Sequence, residues 1–532
     1  MQARLKHFGW GREGEGLNPE EEAFVLARAE ARFGSKLAVS ASAPRLEEIT
    51  LPAPRVTAPA SLPFCTSEHY DRAAHTYGKA YPELARGLKR DYAGAPDVVA
   101  YPRNESEVAA VLDWAGRADA TVTPFGGGSS VCGGVAPKRN GHKGAVSVDL
   151  RAMNKVKEVD KTSRAALIEG GTYGPALEAQ LKPHGLTLRH FPQSFEYSTL
   201  GGWIATRGGG HFATLYTHID EFVESLRTVT PAGTIESRRL PGSGAGPSPD
   251  RMIIGSEGIL GVITQAWMRL QDRPTFRDGG AVRFPDFFTA AKAVRAIAQA
   301  GLYPSNCRIL DPREAYNTGA ADGSVAIMVL AFESADHDVA PWMKRARECC
   351  ADHGGMPEES EKPSGADAHR EGAAGVWRNA FIRMPYAMER LSLRGVINDT
   401  FETAITWDRF EKFHDAIKAA TETAIIAATG RKGEVTCRFT HVYPDGPAPY
   451  FTFHALSSEP DRLAAQWHTI KSAALDAVIQ NGGTVTHHHA VGRDHRPWYD
   501  RQRPPLFAAA LRAAKKALDP QGLLNPGVLI DP

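Results

Sequence analysis

The chain has 532 residues, 42% of them hydrophobic and 23% charged, which is typical of a folded globular protein and excludes a disordered or fibrous one. The chain is longer than the length at which a single hydrophobic core stops growing, so two or three domains are expected. The 62 Lys and Arg residues nearly balance the 61 Asp and Glu residues, which leaves no basic surface for nucleic acid or a polybasic membrane anchor and favours a small-molecule substrate.

The first predicted region is an N-terminal extension over residues 1–92. It combines a helical stretch at residues 19–33 with a Pro-rich passage at residues 51–63, where proline prevents regular structure. We interpret this region as an appendage to the domains that follow.

Strands and helices alternate over residues 93–272, which predicts an α+β domain. Asn104 provides an N-cap for a helix whose apolar residues fall on one face. A later strand ends directly in a run of glycines. The other elements expected here are strands at residues 98–102, 121–125, 145–150 and 166–169 and a helix at residues 175–181.

Residues 273–457 are predicted to form a second α+β domain, and residues 458–532 a helical C-terminal region with a His-rich strand. We expect a mixed or antiparallel sheet in the second domain, with helices on one side. Segments 241–249 and 358–372 are rich in Gly, Pro, Ser or charge and are expected to be surface loops. The expected elements are strands at residues 281–284 and 324–333 and helices at residues 290–300, 464–480 and 506–518.

The six cysteines are scattered and form no CxxC pair, so we interpret them as reduced thiols. The N-terminus lacks the apolar run of a signal peptide, and no stretch approaches the roughly 18 apolar residues of a membrane span. We therefore expect a cytoplasmic protein without a transmembrane segment. Peripheral membrane contact and a homodimer are left open.

Three glycine-bearing segments lie at residues 124–131, 198–210 and 255–263. Consecutive glycines permit positive φ and let successive N–H groups converge on phosphate oxygens, although each segment alone is equally consistent with ordinary turns. The first segment, Pro-Phe-Gly-Gly-Gly-Ser-Ser-Val, is neither GxGxxG nor GxxxxGK[ST]. A Rossmann dinucleotide site and a P-loop are both disfavoured, and a different nucleotide-binding fold is expected.

Taken in order, these segments resemble the FAD-binding domain of the vanillyl-alcohol-oxidase type, also called the PCMH type. The resemblance implies an α+β fold with a two-subdomain FAD-binding domain at residues 93–272 and a cap, or substrate, domain at residues 273–457. It also implies that the first loop holds the FAD pyrophosphate, that the second lies along the flavin, and that the third contacts the isoalloxazine and ribityl through its backbone. The implied FAD-binding residues are Pro124, Gly126, Gly127, Gly128, Ser129, Ser130, Val131, Gln193, Ser194, Ser198, Thr199, Gly202, Thr206, Arg207, Gly208, Gly209, Glu257, Gly258, Ile259, Leu260, Gly261, Val262 and Ile263.

Two further details concern the cofactor. Some members of this superfamily tether FAD through a His in the first loop or a Cys near the second, and this chain has neither, so non-covalent FAD is expected. Cys132 follows the first loop and is better explained as a small packing residue. The ending around Asn525 resembles one that brings an Asn close to the flavin, but Asn-Pro-Gly is also ordinary turn chemistry.

Over nearly the whole chain, the sequence resembles the alkyldihydroxyacetonephosphate synthase family of ether-lipid biosynthesis. The matching phrases are Phe-Gly-Trp-Gly at residues 8–11, Arg-Ile-Leu-Asp at 308–311, Asp-Thr-Phe-Glu-Thr-Ala at 399–404, Trp-Asp-Arg at 407–409, Cys-Arg at 437–438 and His-His-His-Ala-Val-Gly at 487–492. The resemblance implies that flavin N5 captures C1 of an acyl-dihydroxyacetone phosphate, that the acylate leaves, and that a fatty alcohol takes its place.

The triple histidine carries the proposed acid–base chemistry. On a strand, His487 and His489 share one face while His488 points to the other, so one imidazole can enter a cavity. His488 is the candidate base, because an unperturbed pKa near 6.5 suits proton transfer at neutral pH. Tyr450 is the candidate phenol that orients the proton, and Arg308 the candidate anion-binding residue. The alternative is a histidine cluster that only stabilises the fold.

A metal site is also considered. Related FAD-linked 2-hydroxy-acid dehydrogenases bind a divalent cation through two His and a Glu. Here His441 and His488 supply only two ligands, and zinc needs three or four. We expect no metal.

The sequence departs from the synthase family at one position. The family has a substrate-facing Arg where this chain has Met388, and loss of a bidentate guanidinium is chemically large. Arg383, Arg390 or Arg308 are the candidates to compensate, although Arg383 and Arg390 also suit solvated surface positions. Two alternatives therefore stay open: an FAD-dependent oxidase or dehydrogenase of an alcohol or 2-hydroxy acid, and a flavin-binding module without catalysis.

Overall fold

The computed structural model describes residues 4–216, 218–358 and 372–531. Among these residues, no helix is both long and apolar enough to cross a membrane. The chain forms three larger sheets with helices around them, and the α+β expectation is confirmed.

The N-terminal extension is helical and irregular. The predicted helix is confirmed with its bounds, and Asn18 caps it by accepting a hydrogen bond from the Glu21 amide. Ahead of this helix, residues 5–11 follow an irregular path towards the centre of the molecule. The elements of this region are α1 (Pro19–Phe33), β1 (Cys65–Thr66), α2 (His69–Ala74) and α3 (Tyr81–Leu88).

The next four elements form a small sheet around the first glycine segment. They are β2 (Val98–Ala100), α4 (Glu105–Arg117), β3 (Ala120–Phe125) and β4 (Gly144–Asp149). The strand order is β1-β2-β4-β3, with β2 and β3 both parallel to β4. Asn104 caps α4 as expected. Because β3 is parallel and ends at Phe125, its carboxyl end delivers the glycines that follow to the edge of the sheet.

A second sheet completes the two-subdomain arrangement. Its five strands are antiparallel in the order β5-β6-β10-β8-β9. Segment 241–249 is exposed beside it, as predicted. The elements are β5 (Val156–Asp160), β6 (Ala165–Glu169), α5 (Gly174–Leu181), β7 (Leu186–Thr187), α6 (Leu200–Thr206), α7 (Ala213–Tyr216), α8 (Ile219–Phe222), β8 (Val223–Thr230), β9 (Gly233–Glu236), α9 (Pro249–Ile253), β10 (Val262–Arg269) and β11 (Gln271–Asp272).

The third sheet has seven antiparallel strands in the order β15-β12-β14-β13-β17-β18-β16. The loop predicted at residues 358–372 lies mostly outside the described residues. The elements are β12 (Phe276–Phe284), α10 (Phe287–Gln299), β13 (Asn306–Leu310), α11 (Pro312–Thr318), β14 (Ala326–Ser334), α12 (Ala340–Ala351), β15 (Met356–Pro357), α13 (Gly372–Ser392), β16 (Val396–Glu402), α14 (Phe410–Thr429), β17 (Glu434–Val442) and β18 (Pro447–Leu456).

Helices cover both faces of this sheet, so the expectation of helices on one side is wrong. In β14, Met328 and Leu330 pack with α10, α12 and α14, whereas Ile327 and Val329 pack with α11 and α13. Successive residues of a strand point to opposite faces. An uninterrupted apolar run in β14 therefore needs a helical layer on each side.

The C-terminal region contains α15 (Leu463–Gln480), α16 (Arg496–Gln502) and α17 (Pro505–Leu518). The predicted helices are confirmed, but the triple histidine is not in a strand. It lies in a series of bends, because the backbone N–H groups of His487, His488 and His489 donate to the carboxylate of Glu402 instead of to a neighbouring strand.

The last residues connect α17 to the third glycine segment and to β3. Lys515 is 2% exposed, and its Nζ donates to the carbonyls of Ile259 and Leu524 and to the Asp519 carboxylate. The Asn525 amide then donates to the carbonyl of Val122 in β3. The buried ammonium thus joins α17 to the third glycine segment, and the Asn525 amide joins the chain end to the strand that leads to the first.

We predict that Lys515→Met lowers the free energy of unfolding by about 3–5 kcal/mol, because it leaves a buried carboxylate and two carbonyls without their donor. Urea unfolding followed by circular dichroism measures the change. Lys516→Met is the matched control, since Lys516 is exposed on the same helix and should change stability by less than about 0.5 kcal/mol. Equal effects of the two substitutions would contradict this account.

Candidate active site

A large cavity lies where the four-stranded, five-stranded and seven-stranded sheets meet the N-terminal extension. Its volume is about 270 Å³ for the centres of water molecules. The first glycine loop, the second glycine segment, strands β13, β16, β17 and β18, helix α13 and the histidine loop all contribute to its wall.

The first loop lines the cavity over its whole length, from Gly126 to Val131. Within the described residues, the backbone amides of Gly127 to Val131 donate no hydrogen bond. Gly127 has no room for a side chain, since a Cβ there would lie 1.7 Å from the Tyr197 carbonyl oxygen, and Gly128 has φ +68°. Unpaired amides on a side-chain-free loop suit the oxygens of a diphosphate. The loop therefore fits the pyrophosphate of FAD.

The second segment lines the adjacent wall. Eight of its predicted residues face the cavity, and Arg207 does not. The Arg207 guanidinium instead pairs with Asp220 at 3.1 Å, and its side chain is 61% exposed. The cavity-lining residues are Gln193, Ser194, Ser198, Thr199, Gly202, Thr206, Gly208 and Gly209.

The third segment, Glu257 to Ile263, lies behind the first loop rather than in the cavity wall, and so do Pro124 and Asn525. The Glu257 carboxylate accepts from the amides of Val491, at 2.9 Å, and Gly492, at 2.7 Å. Asn525 donates to the Glu257 carbonyl at 2.7 Å. Burial raises the pKa of Glu257 to about 7. These residues hold the loops in place and do not line the cavity.

The histidine loop is organised by Glu402 at the end of β16. Its oxygens accept from the His487 amide at 2.6 Å, the His488 amide at 3.1 Å and the His489 amide at 2.9 Å. Burial alone would raise the pKa of this carboxyl, but the neighbouring imidazoles of His488 and His489 hold it well below its ordinary value. His488 and His489 both line the cavity, whereas the alternation of a strand predicted His488 alone.

Tyr450, which is on β18, lies beside His488 of the histidine loop. The two rings are stacked, with centroids 6.0 Å apart, and both line the cavity. The Tyr450 hydroxyl donates to Thr400 at 3.0 Å, and the Arg438 guanidinium lies 4.0 Å from the centre of the phenol ring. Burial raises the pKa of Tyr450. The phenol is therefore a neutral hydrogen-bonding group next to the candidate base.

Arg308 on β13 also faces the cavity and is 3% exposed. It donates to the His211 carbonyl at 3.3 Å, its Nε has no partner, and no carboxylate pairs with it in the described part of the chain. Burial, and then the nearby Arg438, lower its pKa to about 9. Arg438 itself is paired with Glu314. The arrangement leaves Arg308 ready to bind an anion.

The three residues considered for substrate binding on α13 separate into two groups. Met388 lines the cavity. Arg383 pairs with Glu21 at 2.8 Å and Arg390 with Glu22 at 3.5 Å, both on α1, and neither lines the cavity. These two guanidiniums attach the N-terminal extension to α13, so they do not replace the Arg missing at position 388.

The sequence reasoning missed the contribution of the N-terminal extension. Phe8, Gly9 and Trp10 line the cavity, as does Lys79. Burial lowers the pKa of Lys79 to about 8, and no carboxylate pairs with it among the residues described. The Lys79 amide donates to the Ser130 carbonyl of the first loop, at 2.6 Å. The Phe-Gly-Trp-Gly phrase at residues 8–11, which matches the synthase family, could have indicated Phe8, Gly9 and Trp10. The sequence contains no comparable motif around Lys79.

Three imidazoles come together beside the cavity. One ring nitrogen each of His441, His487 and His488 lies within 4.8 Å of the others, one residue more than the sequence suggested. His487 Nδ1 and His488 Nδ1 are 3.0 Å apart and hydrogen-bonded, while His441 Nε2 has no partner among the residues that the structure describes. We interpret the group as a hydrogen-bonded cluster, and absence of metal stays a prediction.

Comparison with known proteins agrees with this geometry. Residues 96–238 match the family described as FAD binding domain, and residues 273–529 the family described as FAD linked oxidases, C-terminal domain. The alkyldihydroxyacetonephosphate synthase of Dictyostelium discoideum is 31% identical over 484 residues, 86% of this chain and 77% of the relative. A solved alkyldihydroxyacetonephosphate synthase is 25% identical, covers 98% of both chains and has a TM-score of 0.81.

Relatives of lower identity are named as an oxidase subunit or a dehydrogenase. A glycolate oxidase subunit of Bacillus subtilis is 25% identical over 450 residues, 82% of this chain and 89% of the relative. The protein is therefore an FAD-dependent enzyme that holds its cofactor non-covalently. Cys132 agrees with this, because its buried thiol donates to the His489 carbonyl at 3.2 Å.

We predict that Lys79→Met raises the Kd for FAD roughly 10- to 100-fold, the effect of losing one charged hydrogen bond to the diphosphate. Titration of the apoprotein followed by flavin fluorescence measures it, and riboflavin, which has no phosphate, should bind both proteins equally. Lys143→Met is the control, since Lys143 is exposed. Unchanged FAD affinity, or an equal loss for riboflavin, would contradict a role in phosphate binding.

Proposed function

The chain belongs to the alkyldihydroxyacetonephosphate synthase family, and from this premise we propose that it exchanges the acyl group of an acyl-dihydroxyacetone phosphate for a fatty alcohol. The observation that carries the proposal is Arg308, a buried guanidinium without a carboxylate partner among the described residues, in the same cavity as His488 and Tyr450. An anion-binding group, a base and a phenol around one cavity suit a phosphorylated ketone.

Arg308 would bind the anionic end of the substrate. Leaving such a charge buried and unpaired costs several kcal/mol, so a phosphate that reaches it gains a strong charge-assisted hydrogen bond. The apolar side chains of Phe381, Met384 and Met388 also line this cavity and suit the hydrocarbon parts of an acyl ester and a fatty alcohol.

His488 and Tyr450 would move the protons. In the exchange, the bond between C1 and the acyl oxygen breaks, a bond between C1 and the alcohol oxygen forms, and the alcohol proton leaves with the carboxylic acid or to solvent. Bound FAD would supply the ring that takes up the substrate carbon while the two oxygen substituents are exchanged. His488 suits the role of proton acceptor, and Tyr450 that of a neutral donor beside it.

The proposal predicts an ether product without net flavin reduction. Purified protein loaded with FAD is incubated anaerobically with acyl-dihydroxyacetone phosphate and a labelled fatty alcohol, and the visible spectrum and the products are followed. We expect labelled alkyl-dihydroxyacetone phosphate and one equivalent of fatty acid, with the oxidised flavin band restored at the end. Absence of labelled ether product from FAD-loaded protein would overturn the proposal.

A second candidate is oxidation of an alcohol or 2-hydroxy acid, favoured by Met388 and by the glycolate oxidase relative. One guanidinium, Arg308, is enough to bind a carboxylate. In this case a 2-hydroxy acid or alcohol alone would bleach the flavin band anaerobically, and an oxidant would restore it. The same spectrometer experiment with the second substrate panel separates the two candidates.

We predict that Met388→Arg lowers the KM for acyl-dihydroxyacetone phosphate roughly 10- to 100-fold, because it adds a guanidinium to the cavity wall. Steady-state kinetics with the FAD-loaded variant measure it. Met388→Gln is the matched control, since it makes the same position polar without adding a charge and should change the KM by less than about twofold. An unchanged or higher KM in a folded, FAD-loaded Met388→Arg protein would count against a phosphate near this position.

A further inference from the structure

Four side chains form a continuous line of hydrogen bonds behind the candidate base. His488 Nδ1 lies 3.0 Å from His487 Nδ1, and His487 Nε2 lies 2.7 Å from the Tyr443 hydroxyl. The same hydroxyl is hydrogen-bonded to Nε2 of His218. The line begins at the cavity wall, where His488 lies, and ends at the loop before α8.

The direction of each hydrogen bond in this line follows from the contact that His218 makes at the end away from the cavity. His218 donates to the backbone carbonyl of Arg207, and a carbonyl can only accept. Because Nε2 of His218 faces Tyr443, the donor must be Nδ1, which makes Nε2 an acceptor in the neutral ring. The Tyr443 hydroxyl therefore donates its proton to His218.

The same logic continues to the cavity. A hydroxyl that donates to His218 accepts from His487 Nε2, so that nitrogen carries the proton and His487 Nδ1 is an acceptor. His488 Nδ1 must then be protonated to donate to it. This leaves His488 Nε2 with an unshared electron pair, which is what a proton acceptor in the cavity requires.

Glu402 gives an independent reason for the same tautomer. Its Oε2 lies 3.3 Å from His488 Nδ1, and a carboxylate can only accept. The proton on Nδ1 is therefore shared between the carboxylate and His487. His441 is close to both rings, but within the described part of the chain its Nε2 has no hydrogen-bond partner, so it is not part of the line.

We propose that Tyr443 and His218, acting through His487, are positioning residues that hold His488 in the tautomer whose Nε2 accepts the substrate proton. The inference rests on the proposed function for the step that His488 performs, but the tautomer itself is a property of the protein. The charged and titratable groups that face this line are His190, Arg207, Asp220, Glu402, His441, Asp445, Tyr450 and His489.

Removing the hydroxyl of Tyr443 tests the proposal. In Tyr443→Phe, His487 Nε2 loses its acceptor, the ring is free to carry its proton on Nδ1, and that proton would face His488 Nδ1. We expect the kcat to fall roughly 10- to 100-fold while KM changes by less than about twofold, with a changed pH profile of kcat. Tyr101→Phe is the control, since it removes a hydroxyl that donates to Asp71 away from the cavity.

Two substitutions of His218 separate tautomer control from simple packing. His218→Gln keeps an acceptor for the Tyr443 hydroxyl and should retain most of the kcat, whereas His218→Leu offers none and should behave like Tyr443→Phe. Equal losses in both variants would overturn the proposal. This pair also decides the matter if Tyr443→Phe fails to fold.

A readout without turnover completes the test. Nitrogen NMR of histidine-labelled, FAD-loaded protein distinguishes a protonated from an unprotonated ring nitrogen, with His488→Gln used for assignment. We expect a protonated Nδ1 and an unprotonated Nε2 for His488 in the native protein, and a redistribution in Tyr443→Phe. A protonated Nε2 in the native protein would overturn the inference, whether or not the ether product is formed.

Discussion

The carboxylate of Glu402 fixes the histidine loop, and the rest of the site depends on that contact. Three consecutive backbone N–H groups converge on two oxygens, which a regular strand cannot achieve because its N–H groups alternate in direction. In β16, Glu402 is paired directly with Tyr450 of β18. Because Glu402 is part of the sheet and also holds the histidine loop, it places the imidazole of His488 next to the phenol of Tyr450.

Two cations without carboxylate partners among the described residues face the same cavity, the buried Arg308 from the seven-stranded sheet and the partly buried Lys79 from the N-terminal extension. An unpaired charge that is shielded from water is costly, so a fold that keeps two of them is organised around anionic ligands. Because the cations come from different regions of the chain, ligands that bind both would hold those regions together and add to stability in proportion to their affinity.

Much of the fold was predictable because its signals are local. Hydrophobic periodicity located α1, α10 and α17 to within three residues at either end, and the glycines after β3 marked the loop that lines the cavity. The errors concern contacts between distant residues. The bends at the histidines depend on a carboxylate 85 residues away, and the pairing of Arg383 with Glu21 spans 362 residues. No local pattern contains such information, and none marks Lys79 as part of the cavity wall.

The charge around Met388 bears on the kind of substrate that the cavity accepts. Its neighbour Glu389 pairs with Lys6 at 3.4 Å, so the N-terminal segment adds no free charge there. If Lys79 serves the cofactor, Arg308 remains for one anionic group on the substrate. The rest of the wall includes Phe8, Trp10, Phe191, Phe381 and Met384, all apolar. A short hydroxy acid would leave these side chains in contact with water, whereas a long hydrocarbon chain with one anionic end covers them, and the hydrophobic effect therefore favours a lipid-like substrate.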